Sequence, residues 1–471
     1  MSADDLALLT IREAAVLLQK REISPVDLIE STLARVDRLQ PTLNAFITVM
    51  HDAARRDARR AEAEIARGRH RGPLHGIPVS LKDLYYTRGV RTTAGSKVLA
   101  DFVPRYDSTM AVKLRRAGAV IFGKNNMHEF APGSTNDNAH YGPCRNPWDQ
   151  SRIPGGSSGG SAVAVATSMG MASMGSDTAG SIRIPAALCG VVGLKPTTGR
   201  VSGHGVVALS CSLDTTGPLT RTAEDCALVM DVIAGYDPKD PLSVRAPVDR
   251  YSEKLKGDLA GLRVGIPREH FFPTTSTEVA DLVRQGIRVL EQLGASMREV
   301  SIPLAGVSTY AANVITRSES AAYHEHWLRT QGDDYSPDVK HRLETGFYFS
   351  AVDYIKAQQI RTLVRHEFER VMEEVDLLVT PTTPIPATPI SSPEPLGAPG
   401  TEQEGILLMV CLTRPHNMAG LPAISLPCGF TAEGLPVGMQ LGGRALDEAT
   451  VLRAAHAYEQ ATDWHTRRPP V

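Results

Sequence analysis

Chemistry concentrates between Pro154 and Pro196, where two serine-bearing glycine turns, Gly155–Gly160 and Asp177–Ser181, flank a run of Ala, Val, Ser, Met and Gly. Glycine lets a backbone approach another group closely, and serine beside it supplies a hydroxyl that both donates and accepts. A flexible linker would be polar throughout. Here the run between the turns is apolar, and Ile182, Ile184 and Pro185 follow at once, so the stretch reads as a buried site. Upstream, Gly76-Ile77-Pro78-Val79-Ser80-Leu81-Lys82-Asp83 reads as a short buried strand running into Lys82. An ammonium buried without a partner is costly. Lys82 therefore pairs with a carboxylate such as Asp83, snorkels to the surface, or is held there for its reactivity.

Three other chemistries compete for these residues. A phosphate cradle would need G-x-x-x-x-G-K-[ST] or G-x-G-x-x-G, and neither occurs in the stretch. Gly156-Ser157-Ser158-Gly159-Gly160 matches G-x-S-x-G, which would make Ser158 the nucleophile of an α/β-hydrolase-type esterase, with Asp447 and His456 as late partners. That motif needs a strand directly before the serine, whereas Asn146 to Pro154 reads as loop, and it leaves the second turn without a purpose. His324-Glu325-His326 lacks H-E-x-x-H or a carboxylate cluster, so it reads as surface histidines on an amphipathic helix, and no metal site is expected.

The elements that must position these residues alternate along the chain. Thr10-Ile11-Arg12-Glu13 has the capping-box form, and Ser24-Pro25-Val26-Asp27 repeats it before an apolar stripe of Leu28, Thr32, Val36 and Leu39. A charged helix follows from about His51 to Arg67, and Asp107-Ser108-Thr109 caps another through Arg116. Strands are read at Ala119–Gly123, Leu262–Ile266, Val375–Val379, Ala423–Pro427 and Val437–Leu441, and helices at Thr222–Ala234, Glu278–Leu293 and Glu448–Gln460. Glu129–Trp148 and Pro381–Gly400 read as loops. The alternation predicts an α/β fold with α/β/α layers.

Bulk composition narrows the function classes. The 471 residues are 42% hydrophobic and 22% charged, which suits a soluble chain with a large core. A net charge of −2 predicts no general attraction to nucleic acid or an anionic membrane. No signal peptide or apolar spanning segment is read, and six scattered cysteines without C-x-x-C fit free thiols in the cytoplasm.

The motifs together resemble the amidase signature family. The resemblance rests on G-G-S-S-G-G-S-A followed by D-T-A-G-S-I-R-I-P-A-A-L-C-G-V-V-G-L-K-P-T, on the lysine strand Gly76–Asp83, and on Asn417-Met418-Ala419-Gly420-Leu421-Pro422 and Gly434-Leu435-Pro436-Val437-Gly438. It implies one large α/β/α domain around a central mixed β-sheet, with residues 1–70 as its N-terminal helical layer and 71–471 as the catalytic part. Residues 236–420 would carry the more variable substrate pocket. It also implies a Ser–Ser–Lys triad: Ser181 as nucleophile, Ser157 as bridging serine with a cis peptide, and Lys82 as base. Thr178, Ala179, Gly180 and Ser181 would supply oxyanion N–H groups, and Ser158, Ser176, Asp177 and Arg183 would support them. Ala179 departs from the family's usual glycine, and its methyl narrows the space beside the acyl carbon. The chemistry is coherent, because lysine acts as a base only when neutral and burial lowers its pKa. It calls for no metal or organic cofactor.

Two functions follow from the resemblance. The first is a stand-alone amidase cleaving an uncharged or aryl amide, with carbamates and esters sharing its tetrahedral chemistry. Its partners would be a small-molecule amide or carbamate, with no nucleic acid, and the resemblance admits a homodimer. The second is the glutaminase A subunit of a tRNA-dependent amidotransferase, which the tail Tyr458–His465 resembles. Arg361 sits where that branch holds the glutamine carboxylate, but the aspartate that it places seven residues before the asparagine of N-x-A-G-L-P is Val410 here. Val410 therefore favours the first function. The acyl pocket is expected to draw on the Phe130–Asn136 loop (Ala131, Pro132, Gly133 and Ser134 within it), on residues 308–327 and on Leu407–Thr413.

Overall fold

The computed structural model describes residues 3–255, 258–390 and 408–471. Its strands are β1 (Phe46–Val49), β2 (Pro78–Lys82), β3 (Val120–Asn125), β4 (Ala172–Asp177), β5 (Val192–Lys195), β6 (Thr215–Thr220), β7 (Arg263–Pro267), β8 (Ser296–Val300), β9 (Leu377–Pro381), β10 (Ala423–Phe430) and β11 (Pro436–Gly443). They form one 11-stranded sheet in the order β1-β3-β2-β4-β6-β5-β10-β11-β9-β7-β8. β2 runs parallel to β3 and β4, and β7 parallel to β8 and β9. The remaining pairs are antiparallel, so the sheet is mixed, as expected.

Successive strand residues point to opposite faces, and a sheet covered on both sides is apolar at consecutive positions. β3 shows this directly: Val120 and Phe122 join a cluster with Ile29, Leu33 and Val36 of helix Pro25–Leu43, while Ile121 joins the opposite one. That opposite face is closed by Leu18, Ala227, Val283 and Leu452, from four different helices. Each fully buried Val, Leu, Ile or Phe side chain contributes about 1.5–3 kcal/mol. In β9, Leu377 and Val379 face that cluster, and Leu378 faces a third one with Phe368 and Ile315.

Local signals set most boundaries. Thr10 and Ser24 each close a capping box, with Pro25 at the first helical position. The helix Glu448–Gln460 lies where expected, and the charged helix spans His51–Ala66. The strand expected at Val375–Val379 starts at Leu377, because the Val375 N–H is still bound to the Val371 carbonyl and closes helix Ala351–Glu374. His324 is a correction. It is buried on helix Ala305–Gln331, edge-on to Phe130 and bonded to the Tyr335 hydroxyl, while His326 is exposed. Of the expected loop Pro381–Gly400, residues 391–400 lie outside the described residues, as does Leu407. Among the described residues no helix is long and apolar enough to cross a membrane.

Candidate functional site

The site forms where parallel strands end together. β2 and β4 are parallel neighbours, with Leu81 opposite Met174, so their carboxyl ends open on the same edge of the sheet. Side chains and loops beyond such ends are where α/β sheets place ligands. Lys82 closes β2, and Ser176 and Asp177 close β4. Both serine turns run straight into helices, Gly159–Ala166 and Arg183–Cys189. The Gly156–Ser157 peptide is cis. Gly160 is required by close approach, since a Cβ there would collide with the carbonyls of Asn126 and Ala45. Gly180 is required by its φ of +131° and by the Thr413 side chain against it.

Lys82 is fully buried and donates to Ser157 Oγ at 2.7 Å and Ser176 Oγ at 2.9 Å. Burial pulls its pKa down to about 7, against the opposing charges of Asp214 and Asp177. Asp83 is not its partner. That carboxylate lies 3.0 Å from Lys124 Nζ and accepts from the Thr93 N–H and hydroxyl, so the carboxylate-paired lysine of this region is Lys124. Asp214 is a site residue that sequence reasoning missed. It accepts from the Thr178 hydroxyl at 2.5 Å and the Leu209 N–H at 2.8 Å, and burial pushes its pKa up to about 6. Its signal in the sequence is slight, an acid just ahead of the buried run Thr215–Thr220.

Asp177 organises the second turn. It accepts from the Gly180 N–H at 2.8 Å, the Ile182 N–H at 3.2 Å and the Asn417 amide at 2.8 Å, and it pairs with Arg183 at 2.9 Å. Burial alone would raise its pKa, but the Arg183 guanidinium and the Asn417 amide hold the carboxyl well below the usual range. Arg183 reaches on to Gln440 Oε1 at 2.6 Å and the Thr413 carbonyl at 3.0 Å, tying the turn to the C-terminal strands. One expected oxyanion donor is thereby removed: the Gly180 N–H already serves Asp177. Thr178, Ala179 and Ser181 remain.

Ser158 does not sit on an elbow. An isolated bridge at Arg152 is all the β structure between Asn146 and Ser158, so the esterase reading fails. Its N–H donates to the Ser181 carbonyl at 3.2 Å and its hydroxyl to the Ser176 carbonyl at 3.2 Å, so it braces one turn against the other. Asp447 caps the last helix through Thr450.

Ser181 is 7% exposed and opens into a cavity of about 250 Å³. Thr178, Ala179, Val410 and the predicted Ala131, Pro132, Gly133 and Ser134 line it. Arg361 does not. Its guanidinium donates to Ser212 Oγ at 3.0 Å and the Ser212 carbonyl at 2.9 Å, and it borders a separate depression with Thr198 and Gln358. Arg317, inside the expected 308–327 segment, and Arg342 and Arg414, which sequence reasoning missed, line the Ser181 cavity instead. They correct the expectation of an uncharged or aryl substrate, because a hydrophobic acyl group gives buried guanidinium groups nothing to bind. Among the described residues no group of three or more His, Cys, Asp or Glu is arranged to hold a metal ion.

The Amidase family profile matches residues 27–452. The A subunit of glutamyl-tRNA(Gln) amidotransferase from Roseiflexus sp. (strain RS-1) is 44% identical over 98% of both chains. Among solved structures, an inhibitor-bound vestigial protein complex that reveals the evolutionary origins of an s-triazine catabolic enzyme superposes with a TM-score of 0.90 at 35% identity, covering 96% of this chain and 98% of that one. The A subunit of glutamyl-tRNA(Gln) amidotransferase from Thermotoga maritima superposes with a TM-score of 0.81 at 36% identity, covering 97% and 95%. These likenesses overturn the expectation of a stand-alone amidase. They also overturn a partner set limited to small molecules without nucleic acid, since the near full-length relatives are components of a tRNA amidotransferase.

Proposed function

Since the chain belongs to the amidase family, with Lys82 bonded to Ser157 and Ser181 opening into a cavity, we propose that it serves as the glutaminase component of a tRNA-dependent amidotransferase, releasing ammonia from the carboxamide of glutamine. The observation that carries the chemistry is the 2.7 Å bond between Lys82 Nζ and Ser157 Oγ, in a site whose burial draws the lysine pKa down to about 7, so that a neutral fraction is present at pH 7. In this reading the neutral amine takes the Ser157 proton as Ser157 takes that of Ser181, and Ser181 Oγ attacks the carboxamide carbon. The N–H groups of Thr178, Ala179 and Ser181 are the donors left for the oxyanion, a contribution of about 3 kcal/mol for one such donor. Ammonia leaves with a proton returned through Ser157, and water then cleaves the acyl-Ser181 ester to free the acid. The variable wall within 236–420 supplies Asn313, Arg317, Arg342, Val410 and Arg414 to the pocket.

The role within a complex rests on similarity along nearly the whole chain, with other protein components and tRNA as partners and the cytoplasm as the compartment. Carbamates have no support beyond shared tetrahedral chemistry. The test is to co-express the chain with candidate partner proteins and measure ammonia release from glutamine, with and without charged tRNA. Co-purification and glutamine-dependent ammonia are expected, both independent of any metal added. A chain that stays alone and releases no ammonia, while Ser181→Ala behaves identically, would sink the proposal.

A further inference from the structure

The cations of the Ser181 cavity are unequally answered. Arg342 pairs with Asp338 at 2.6 Å. Arg414, 5% exposed, donates one N–H to the Thr309 carbonyl at 2.8 Å, but its Nε has no hydrogen-bond partner among the described residues. Arg317 donates to Asn313 Oδ1 at 3.2 Å and the Arg342 carbonyl at 2.7 Å, both neutral acceptors. Burial and mutual repulsion work against both: burial and then Arg342 disfavour the charge on Arg317, and burial and then Arg317 that on Arg414. Arginine does not escape by losing its proton. Ser134 Oγ and Thr316 Oγ1, also on the cavity wall, are buried without a hydrogen-bond partner among the described residues. The described lining contains no Asp or Glu, and Val410 presents methyl groups.

We propose that this cavity grips the acyl end of its substrate through a carboxylate held by Arg317 and Arg414, and that it makes no use of an α-ammonium. A carboxylate matches the planar guanidinium fork, leaves oxygens for the Ser134 and Thr316 hydroxyls, and supplies the charge that the wall lacks. An ammonium would meet a further cation, Arg342, and no Asp or Glu among the described lining residues. The substrate class is thus the monoamide of a short dicarboxylic acid, within which glutamine is recognised as a carboxylate-bearing amide. The inference rests on the reading of Ser181 as the attacking group, and the test separates the two.

The full chain, in its complex where one co-purifies, is assayed for ammonia release from glutaramate, glutamine and pentanamide. Charge-assisted bonds of this kind predict kcat/KM for glutaramate at least about tenfold above pentanamide, and the absence of an ammonium site predicts that it equals or exceeds glutamine. Comparable rates for pentanamide, or a clear preference for glutamine, would overturn the inference. Arg414→Gln and Arg317→Gln should each shrink the preference for glutaramate over pentanamide, and an unchanged ratio in both also overturns it. Calorimetry of glutarate binding to the Ser181→Ala chain reads the anion site without turnover. Glutarate bound while the unaltered chain releases no ammonia from glutaramate or glutamine would leave the anion site standing and remove the catalytic reading; no glutarate binding would remove the anion site.

Discussion

Lys82 is the last residue of β2 and Lys124 the last but one of its parallel neighbour β3, both without exposed surface, yet they meet different partners. Lys124 Nζ contacts the Asp83 carboxylate at 3.0 Å, the Tyr85 carbonyl at 2.9 Å and Thr92 Oγ1 at 2.7 Å. Lys82 meets two serine hydroxyls. Burial lowers the pKa of both, and for Lys124 the Asp83 charge pushes back at contact distance. Burial makes either lysine expensive to charge, and the partner decides what the lysine is for. A carboxylate fixes an ion pair, whereas a hydroxyl can accept a proton from one side and give one to the other.

Removing each lysine should therefore break different things. Lys82→Met is expected to lower ammonia release by at least about 10⁴-fold, the scale for members of a serine triad, with the melting temperature nearly unchanged. Lys124→Met should do the reverse, since it leaves Asp83 buried and unpaired. The cost is about 3–5 kcal/mol of stability, read by denaturant unfolding, while kcat per folded molecule stays within a few-fold. Equal effects of the two substitutions on kcat would erase the distinction.

The same contrast explains what could be read in the sequence. Lys82, Ser157, Ser181 and Asp177 lie in motifs whose glycines announce the local backbone, and the strand ends place them together. Asp83 next to Lys82 gave a plausible local pair, but the strand register brings Lys124 to it. Arg361 lies in a recognisable segment, yet the direction of its side chain is set by Ser212, 149 residues away. Arg317, Arg342 and Arg414 come from three separate helices and look like ordinary surface charges until those helices pack. His324 passed for a surface residue because its aromatic neighbours Phe130 and Tyr335 are distant or unremarkable in the sequence. Local backbone chemistry was legible; side-chain partnerships across the chain were not.

A smaller effect is expected at Ser176, which shares Lys82 with Ser157. Ser176→Ala removes one acceptor that orients the amine, a loss of about 1 kcal/mol or several-fold in kcat. Because that acceptor also favours the ammonium, the pKa of Lys82 should fall and the acid limb of kcat/KM should move to lower pH. In the unaltered chain the limb should rise through about pH 7 and level off above it, since the protonated lysine cannot act as base. A rate flat from pH 5 to 9 would remove Lys82 from the role.

The smallest effect should come from Lys195, and it is the sharpest control. Lys195 is also fully buried, and burial, followed by the nearby Arg183 charge, draws its pKa down to about 7 as well. Its Nζ donates to the Pro196 carbonyl at 2.8 Å, an acceptor with no proton to relay. If a lowered pKa alone made a base, Lys195 would qualify as well as Lys82. Lys195→Met exchanges one hydrogen bond, worth about 1 kcal/mol, for relief from burying an amine, so stability should change little. The acid limb should stay at about pH 7, because the titrating base is still present. A limb that vanished in Lys195→Met and persisted in a partly active Lys82 variant would reassign the titration and dissolve the link between hydroxyl partners and proton transfer.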